Sequence, residues 1–176
     1  MFRCLLKTSH FLLLACGLPA LLVTDRDSEA ASGLFKGDVA CAARNEFNWS
    51  GAPKTMIRIC SRPYWNHTGV VLESGATYEL KAAGTWTDAS RDCGPDGYLR
   101  GNFFQELFRG LRRSPSNQWF ALMGALDDSR DTIFLIGSQA TYVPPRRGEL
   151  VCFANDVPGF YWNNAGSVTL SVSRRE

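Results

Sequence analysis

The sequence predicts an all-β fold: a small antiparallel β-sandwich of jelly-roll type, with one short helix inserted between strands. Three observations carry that expectation. Short runs of strand character, such as Thr77–Gly84 and Ser167–Val172, recur at close spacing along the second two thirds of the chain. Turn residues punctuate them at Glu73-Ser74-Gly75, Gly94-Pro95-Asp96-Gly97 and Pro144-Pro145. Only Phe103–Leu111 changes to a helical period, with apolar residues at 103, 104, 107, 108 and 111 on one face.

The chain has 176 residues, enough for one domain with appendages. It is 45% hydrophobic and 20% charged, the balance of a globule that buries a core. Its net charge is +2 and it carries no basic tract, which argues against nucleic acid as a partner.

The first 30 residues read as a signal peptide. Arg3 and Lys7 precede the uncharged run Phe11–Val23, which is too short to span a bilayer. A cleavage site fits near Ser28-Glu29-Ala30, and Leu13-Leu14-Ala15-Cys16 offers a lipoprotein alternative. Residues 31–53 form a leader, and residues 54–176 form the domain. The expected location is therefore secreted or periplasmic. Cys41, Cys60, Cys93 and Cys152 remain after removal of the signal, an even number for an oxidising compartment. The pairing Cys41–Cys60 with Cys93–Cys152 is expected, and buried free thiols are the alternative. No Cys-x-x-Cys spacing suggests zinc.

Within the domain, strands are expected at Thr55–Cys60, Thr68–Leu72 and Thr77–Gly84, the last continuing through Thr85-Trp86-Thr87. Asp88–Gly97 is a polar loop with a tight Gly-Pro-Asp-Gly turn. The helix follows, basic at its end through Arg109, Arg112 and Arg113 as suits its dipole, and is expected to lie across the end of a sheet. Gln118–Leu126 and Thr132–Gly137 are apolar strands around an Asp-rich turn. Ala140–Val143 and Glu149–Phe153 come next, and Ser167–Val172 closes the domain.

Little catalytic chemistry is offered. No Gly-x-Ser-x-Gly, His-Glu-x-x-His or phosphate loop occurs. His67 is the one histidine of the domain and sits in a strand lead-in. Asp88, Asp92, Asp127, Asp128 and Asp156 could form a glycosidase pair, yet nothing selects two of them, and acidic turn residues are ordinary turn formers. The expectation is a protein that is not an enzyme.

Asn155–Gly166 is richer. It holds one carboxylate and three side-chain amides, stiffened by Pro158, Gly159 and Gly166 and bounded by strands. Calcium takes six to eight oxygens of these types. Asp156, Asn163, Asn164 and a main-chain carbonyl near Phe160 supply about four or five, the Asp88 loop supplies another, and ligand hydroxyls complete the shell. The plainer reading has Asp156 and the asparagines capping local turns.

At these residues the chain resembles the PA-IL type of calcium-dependent, galactose-binding bacterial lectins. The resemblance rests on Asn155-Asp156-Val157-Pro158-Gly159, Tyr161, Asn163-Asn164 and Gly166-Ser167. Ala82-Ala83-Gly84 with Trp86, and Gly94-Pro95-x-Gly97, extend it over about residues 54–174. It implies Ca2+ bound by Asp156, Asn163 and Asn164 through side chains and by Phe160 through its carbonyl. A further carbonyl falls at Asp88 or Thr87. Two sugar hydroxyls would complete the ion, and galactosides are the implied partners; a homo-oligomer is left open. Two departures stand out. The family's sugar-contacting histidine and glutamine after the Gly-Pro-x-Gly turn are replaced by Tyr98 to Phe104. Trp162 stands where the family has a small residue, placed to stack on a pyranose or to block the pocket. The alternative function is a secreted structural or protein-interaction module that has lost sugar binding.

Overall fold

A computed structural model of the chain describes residues 54–175. The expected signal peptide, the leader and Cys41 lie outside the described residues. Nine strands make two antiparallel sheets among these residues. They are β1 (Lys54–Cys60), β2 (Asn66–Leu72), β3 (Tyr78–Asp88), β4 (Arg91–Cys93), β5 (Leu122–Leu126), β6 (Phe134–Leu135), β7 (Gln139–Tyr142), β8 (Gly148–Ala154) and β9 (Asn164–Arg174). One sheet runs β1-β9-β3-β4, with β7 also paired to β3. The other runs β2-β8-β5-β6. The expected all-β sandwich is what the chain forms.

The longest pairing joins β3 to β9 over the full length of both strands, from Tyr78 opposite Arg174 to Asp88 opposite Asn164. Period-two alternation sends Leu80 and Trp86 of β3, with Val168, Leu170 and Val172 of β9, into the space between the sheets. There they meet Leu72, Phe120, Leu122, Leu126 and Leu150 from the opposite side. A smaller cluster lies apart from this core, where Trp65 and Ile133 pack on Ala121, Met123 and Phe153.

Several expectations are corrected. The polar loop after Asp88 contains a hairpin: Ala89 takes a left-handed φ of 53°, and Arg91–Cys93 returns as β4 against Trp86–Asp88. The apolar run 118–126 is strand only from Leu122 onward. Phe120 has φ 58°, and Trp119 instead bridges Tyr98. Gly97, at φ +70°, backs onto that bridge so closely that an added Cβ would stand 2.0 Å from the Trp119 carbonyl oxygen. The Cys93–Cys152 disulfide does not form, and both are free thiols. The two residues belong to opposite sheets, paired with Trp86 and with Gly124 respectively.

The helix is also corrected. α1 spans Phe103–Leu107, followed by a 3-10 turn at Arg109–Leu111. Arg112 and Arg113 therefore lie beyond it. Its apolar face is mostly turned to solvent: Phe103, Phe104, Leu107 and, in the 3-10 turn, Leu111 are each at least 60% exposed, and Phe108 alone packs against Phe160. Polar groups hold it instead. Asn102 and Gln105 form a capping box, Asn102 Oδ1 accepting from the Gln105 amide at 2.9 Å and Gln105 Oε1 from the Asn102 amide at 2.8 Å. Glu106 accepts from the Gly101 amide at 2.8 Å.

Candidate functional site

The end of β3, the loop after β8 and the α1 segment converge on one cleft of about 160 Å³. Asp88, Ala89, Asn102, Gln105, Asp156 and Asn163 give it a polar lining, and Phe104, Phe108, Trp119, Val157 and Phe160 an apolar one.

The loop after β8 is set by Asn155. Its amide is wholly buried and clamps the preceding segment, accepting from the Ser114 amide at 2.9 Å and donating to the Ser114 and Gln118 carbonyls at 2.9 and 2.8 Å. This frees the next residue, Asp156, to turn into the cleft. Asp156 is buried; its Oδ1 accepts from the Val157 amide at 2.7 Å and its Oδ2 from Asn164 Nδ2 at 3.1 Å. Asn164 Nδ2 also donates to the Ser61 carbonyl at 3.3 Å. Both neighbours of that nitrogen are acceptors, which fixes the amide orientation and leaves Asn164 Oδ1 buried without a hydrogen-bond partner. Asn163 Oδ1 is in the same condition. Two unpartnered carboxamide oxygens on consecutive residues are unusual, because buried polar atoms are nearly always paired.

Asp88 closes the other side. As the last residue of β3 it faces inward and stands opposite Asn164. Tyr98 Oη donates to Asp88 Oδ2 in a short hydrogen bond, and Gln105 Nε2 donates to the same oxygen at 3.0 Å and to Tyr98 Oη at 2.8 Å. The Arg91 guanidinium lies 4.0 Å over the Tyr98 ring. Burial pushes the Asp88 carboxyl above the usual carboxylate range despite these donors. Asp156 is pushed up to about 6, first by burial and then by the charge of Asp88. Two carboxylates thus share a site with oxygen acceptors and no described cationic side chain among its lining residues.

A hard cation suits this set. Asp156, Asn163 and Asn164 offer side-chain oxygens of the kind calcium takes, two of them with no other partner. Phe160 keeps a main-chain carbonyl that accepts from the Asn163 amide at 3.3 Å, and a carbonyl has a second lone pair. Among the described residues no cluster of three His, Cys, Asp or Glu could hold a metal, so amide oxygens are indispensable to any cation here.

The remaining expected residues fall as follows. Thr87 alternates outward from Asp88, and its hydroxyl donates to Asp92 at 2.7 Å rather than lining the cleft; Ala89 lines it instead. Tyr98 is buried behind Asp88 and positions it. Trp162 is 68% exposed, is absent from the cleft lining, and accepts from Arg62 through its carbonyl at 2.8 Å. It neither plugs the cleft nor lies within it. His67 stands elsewhere on β2, between Glu149 at 3.2 Å and Asp128 at 3.5 Å. Gln105 escaped the sequence reading, although Asn-x-x-Gln ahead of an apolar run is a capping signature. Arg113 is not the helix-end cation its position in the sequence suggests. Its guanidinium instead lies 3.4–3.9 Å over the rings of Phe153, Tyr64 and Trp65.

No family model matches the chain. No curated protein matches it either. Among solved structures it is similar to a chain described as the EclA N-terminal domain, a PllA-like lectin, at 19% identity and a TM-score of 0.53. The match covers 68% of this chain and 95% of that one. At this identity the likeness concerns the fold.

Proposed function

We propose that this chain is a calcium-dependent carbohydrate-binding protein of lectin type, in which sugar hydroxyls complete the coordination of a calcium ion. The observation that carries the reading is the pair of orphaned oxygens on Asn163 and Asn164 beside the Asp156 carboxylate. Calcium supplies a positive charge that offsets the burial of Asp156 and Asp88 and gives both amide oxygens a partner. Asp156, Asn163 and Asn164 are the proposed side-chain ligands, with main-chain carbonyls from Phe160 and from the Asp88–Ala89 turn. Tyr98 and Gln105 hold Asp88 in place. The lectin-like fold of the solved neighbour and the resemblance of the Asn155–Ser167 motif to galactose-binding lectins point the same way. Galactosides are the first sugars to try. Secretion or periplasmic export accompanies the proposal through the signal-like N-terminus.

Thermal melting tests the calcium step: calcium raises the melting temperature, a chelator reverses the rise, and Asp156→Ala abolishes it. A flat response from folded protein rejects the reading. A glycan array run with and without calcium then tests the sugar step. A blank array alongside an intact calcium response favours the interaction module, a reading that draws on the exposed Trp162 and α1.

A further inference from the structure

Cys60 is disulfide-bonded. Cys93 and Cys152, the other cysteines of the described residues, are free thiols, so its partner lies in residues 1–53. Three cysteines occur there: Cys4, Cys16 and Cys41. Cys4 and Cys16 fall in the stretch that reads as a signal peptide, which export removes, and Cys41 is what remains. Burial at Cys60 points the same way. Alternation along β1 sends Ile57 and Ile59 into the core and puts Cys60 on the opposite side with Met56 and Arg58. Met56 is 62% exposed and Arg58 is exposed, yet Cys60 is only 5% exposed, as a sulfur capped by its cystine partner would be. The attachment point is rigid. Asn66 Oδ1 accepts from the Cys60 amide at 2.9 Å, and Asn66 Nδ2 donates to the Cys60 carbonyl at 2.9 Å.

We propose that Cys41 is bonded to Cys60 and that residues 42–53 run back along β1, covering the outer edge of its sheet. Lys54 begins β1 and Cys60 ends it, about 20 Å further on. The bond therefore returns Cys41 to the far end of the strand that the leader feeds. Residues 42–53 reach about 40 Å when extended, enough to turn and cover that distance. Ser50-Gly51, a turn signal, stands midway between the two cysteines. β1 is the outermost described strand of its sheet, and an outermost strand accepts a further extended segment beside it. The chain's own leader is the occupant, because the tether keeps it at the edge at a high effective concentration that a second copy does not match. Bond formation joins the two Sγ atoms; an external disulfide oxidant takes up the two electrons and two protons and leaves as two thiols.

Mass spectrometry of the full chain, produced through an oxidising compartment, alkylated without reductant and digested, tests the bond. The expected result is a Cys41 peptide joined to a Cys60 peptide, with Cys93 and Cys152 carrying the label. Alkylated Cys60, or Cys60 joined to Cys4, to Cys16 or to a second chain, overturns the proposal. Hydrogen exchange tests the placement. Amides of residues 42–53 are expected to exchange about tenfold or more slowly in the bonded chain than in Cys41→Ser, a variant that alters none of the described residues. Mild reduction of the unsubstituted chain is expected to give the same acceleration. Exchange in residues 42–53 that neither Cys41→Ser nor reduction accelerates overturns the edge placement.

Discussion

Asp156 carries the strongest electrostatic consequence of any single residue in the cleft. A carboxyl raised to about 6 binds a proton more readily folded than unfolded. In calcium-free protein its contribution to stability is therefore fully present below the ordinary carboxylate pKa of about 3.9, and it is lost as pH rises through about 6. Calcium reverses the preference, since the ligand must be ionised. The calcium-induced rise in melting temperature is expected to be full near neutral pH and to shrink as pH falls below about 6, read from paired melts across the range. Asp156→Asn is expected to abolish the calcium response and to raise the calcium-free melting temperature at neutral pH; an unchanged or lower value contradicts the burial argument. Tyr98→Phe removes one donor to Asp88 while keeping the ring under Arg91. It is expected to cost about 1 kcal/mol of stability and to weaken calcium binding roughly tenfold, measured by denaturant melts and calorimetry.

At the scale of elements, the turn before Tyr98 is the point where backbone geometry controls the site. Gly97 takes a left-handed φ and has the Trp119 carbonyl where a Cβ would go. Tyr98 and Trp119 then exchange two main-chain hydrogen bonds of 2.8 and 3.1 Å. Gly97→Ala is expected to lose on the order of 2–4 kcal/mol in denaturant melts, because only backbone movement can relieve the clash. Sequence patterning made part of this legible. Alternation located β3 and the inner part of β9, and Gly-Pro-Asp-Gly announced the turn. It did not reveal β4, a three-residue strand of Arg, Asp and Cys with no apolar rhythm. It also gave the period of α1 without the side that faces inward. Periodicity records which residues share a face; the packing partner of that face lies in tertiary structure, and here Gln105 supplies the attachment, to Asp88 and Tyr98.

At the scale of the whole molecule, the cysteine count alone did not foretell the state of the thiols. An even cysteine count suggested pairing across the domain, but Cys93 and Cys152 lie on opposite sheets and stay reduced. Burial pushes the Cys93 thiol up to about 11 and takes Cys152, fully buried, higher still. Alkylation after unfolding without reductant is expected to label both residues, and Cys152 is expected to resist label in the folded protein. Finding either residue in a disulfide contradicts the arrangement. The proposed ligand motif was legible because its oxygen-bearing residues are close in sequence. The Asp88 loop was legible as a further oxygen source from its polar composition, but Arg113 among Tyr64, Trp65 and Phe153 not at all, since those rings gather from β8 and from the segment before β2.

The register that sets Asp88 opposite Asn164 also has a consequence in time. One wall of the cleft ends β3, and the other lies in the loop after β8 that leads into β9, the last described strand. The donors come together only when the two strands zip along their whole length, a long-range pairing that forms late and slowly compared with local turns. During synthesis the β3 side emerges well before its counterpart, so a nascent domain holds half a cleft until the final strand docks. At the proposed calcium site, capture of the ion would serve as a clock for that docking. In stopped-flow refolding, capture of the ion is expected to follow, and never precede, the closure of the β3–β9 ladder.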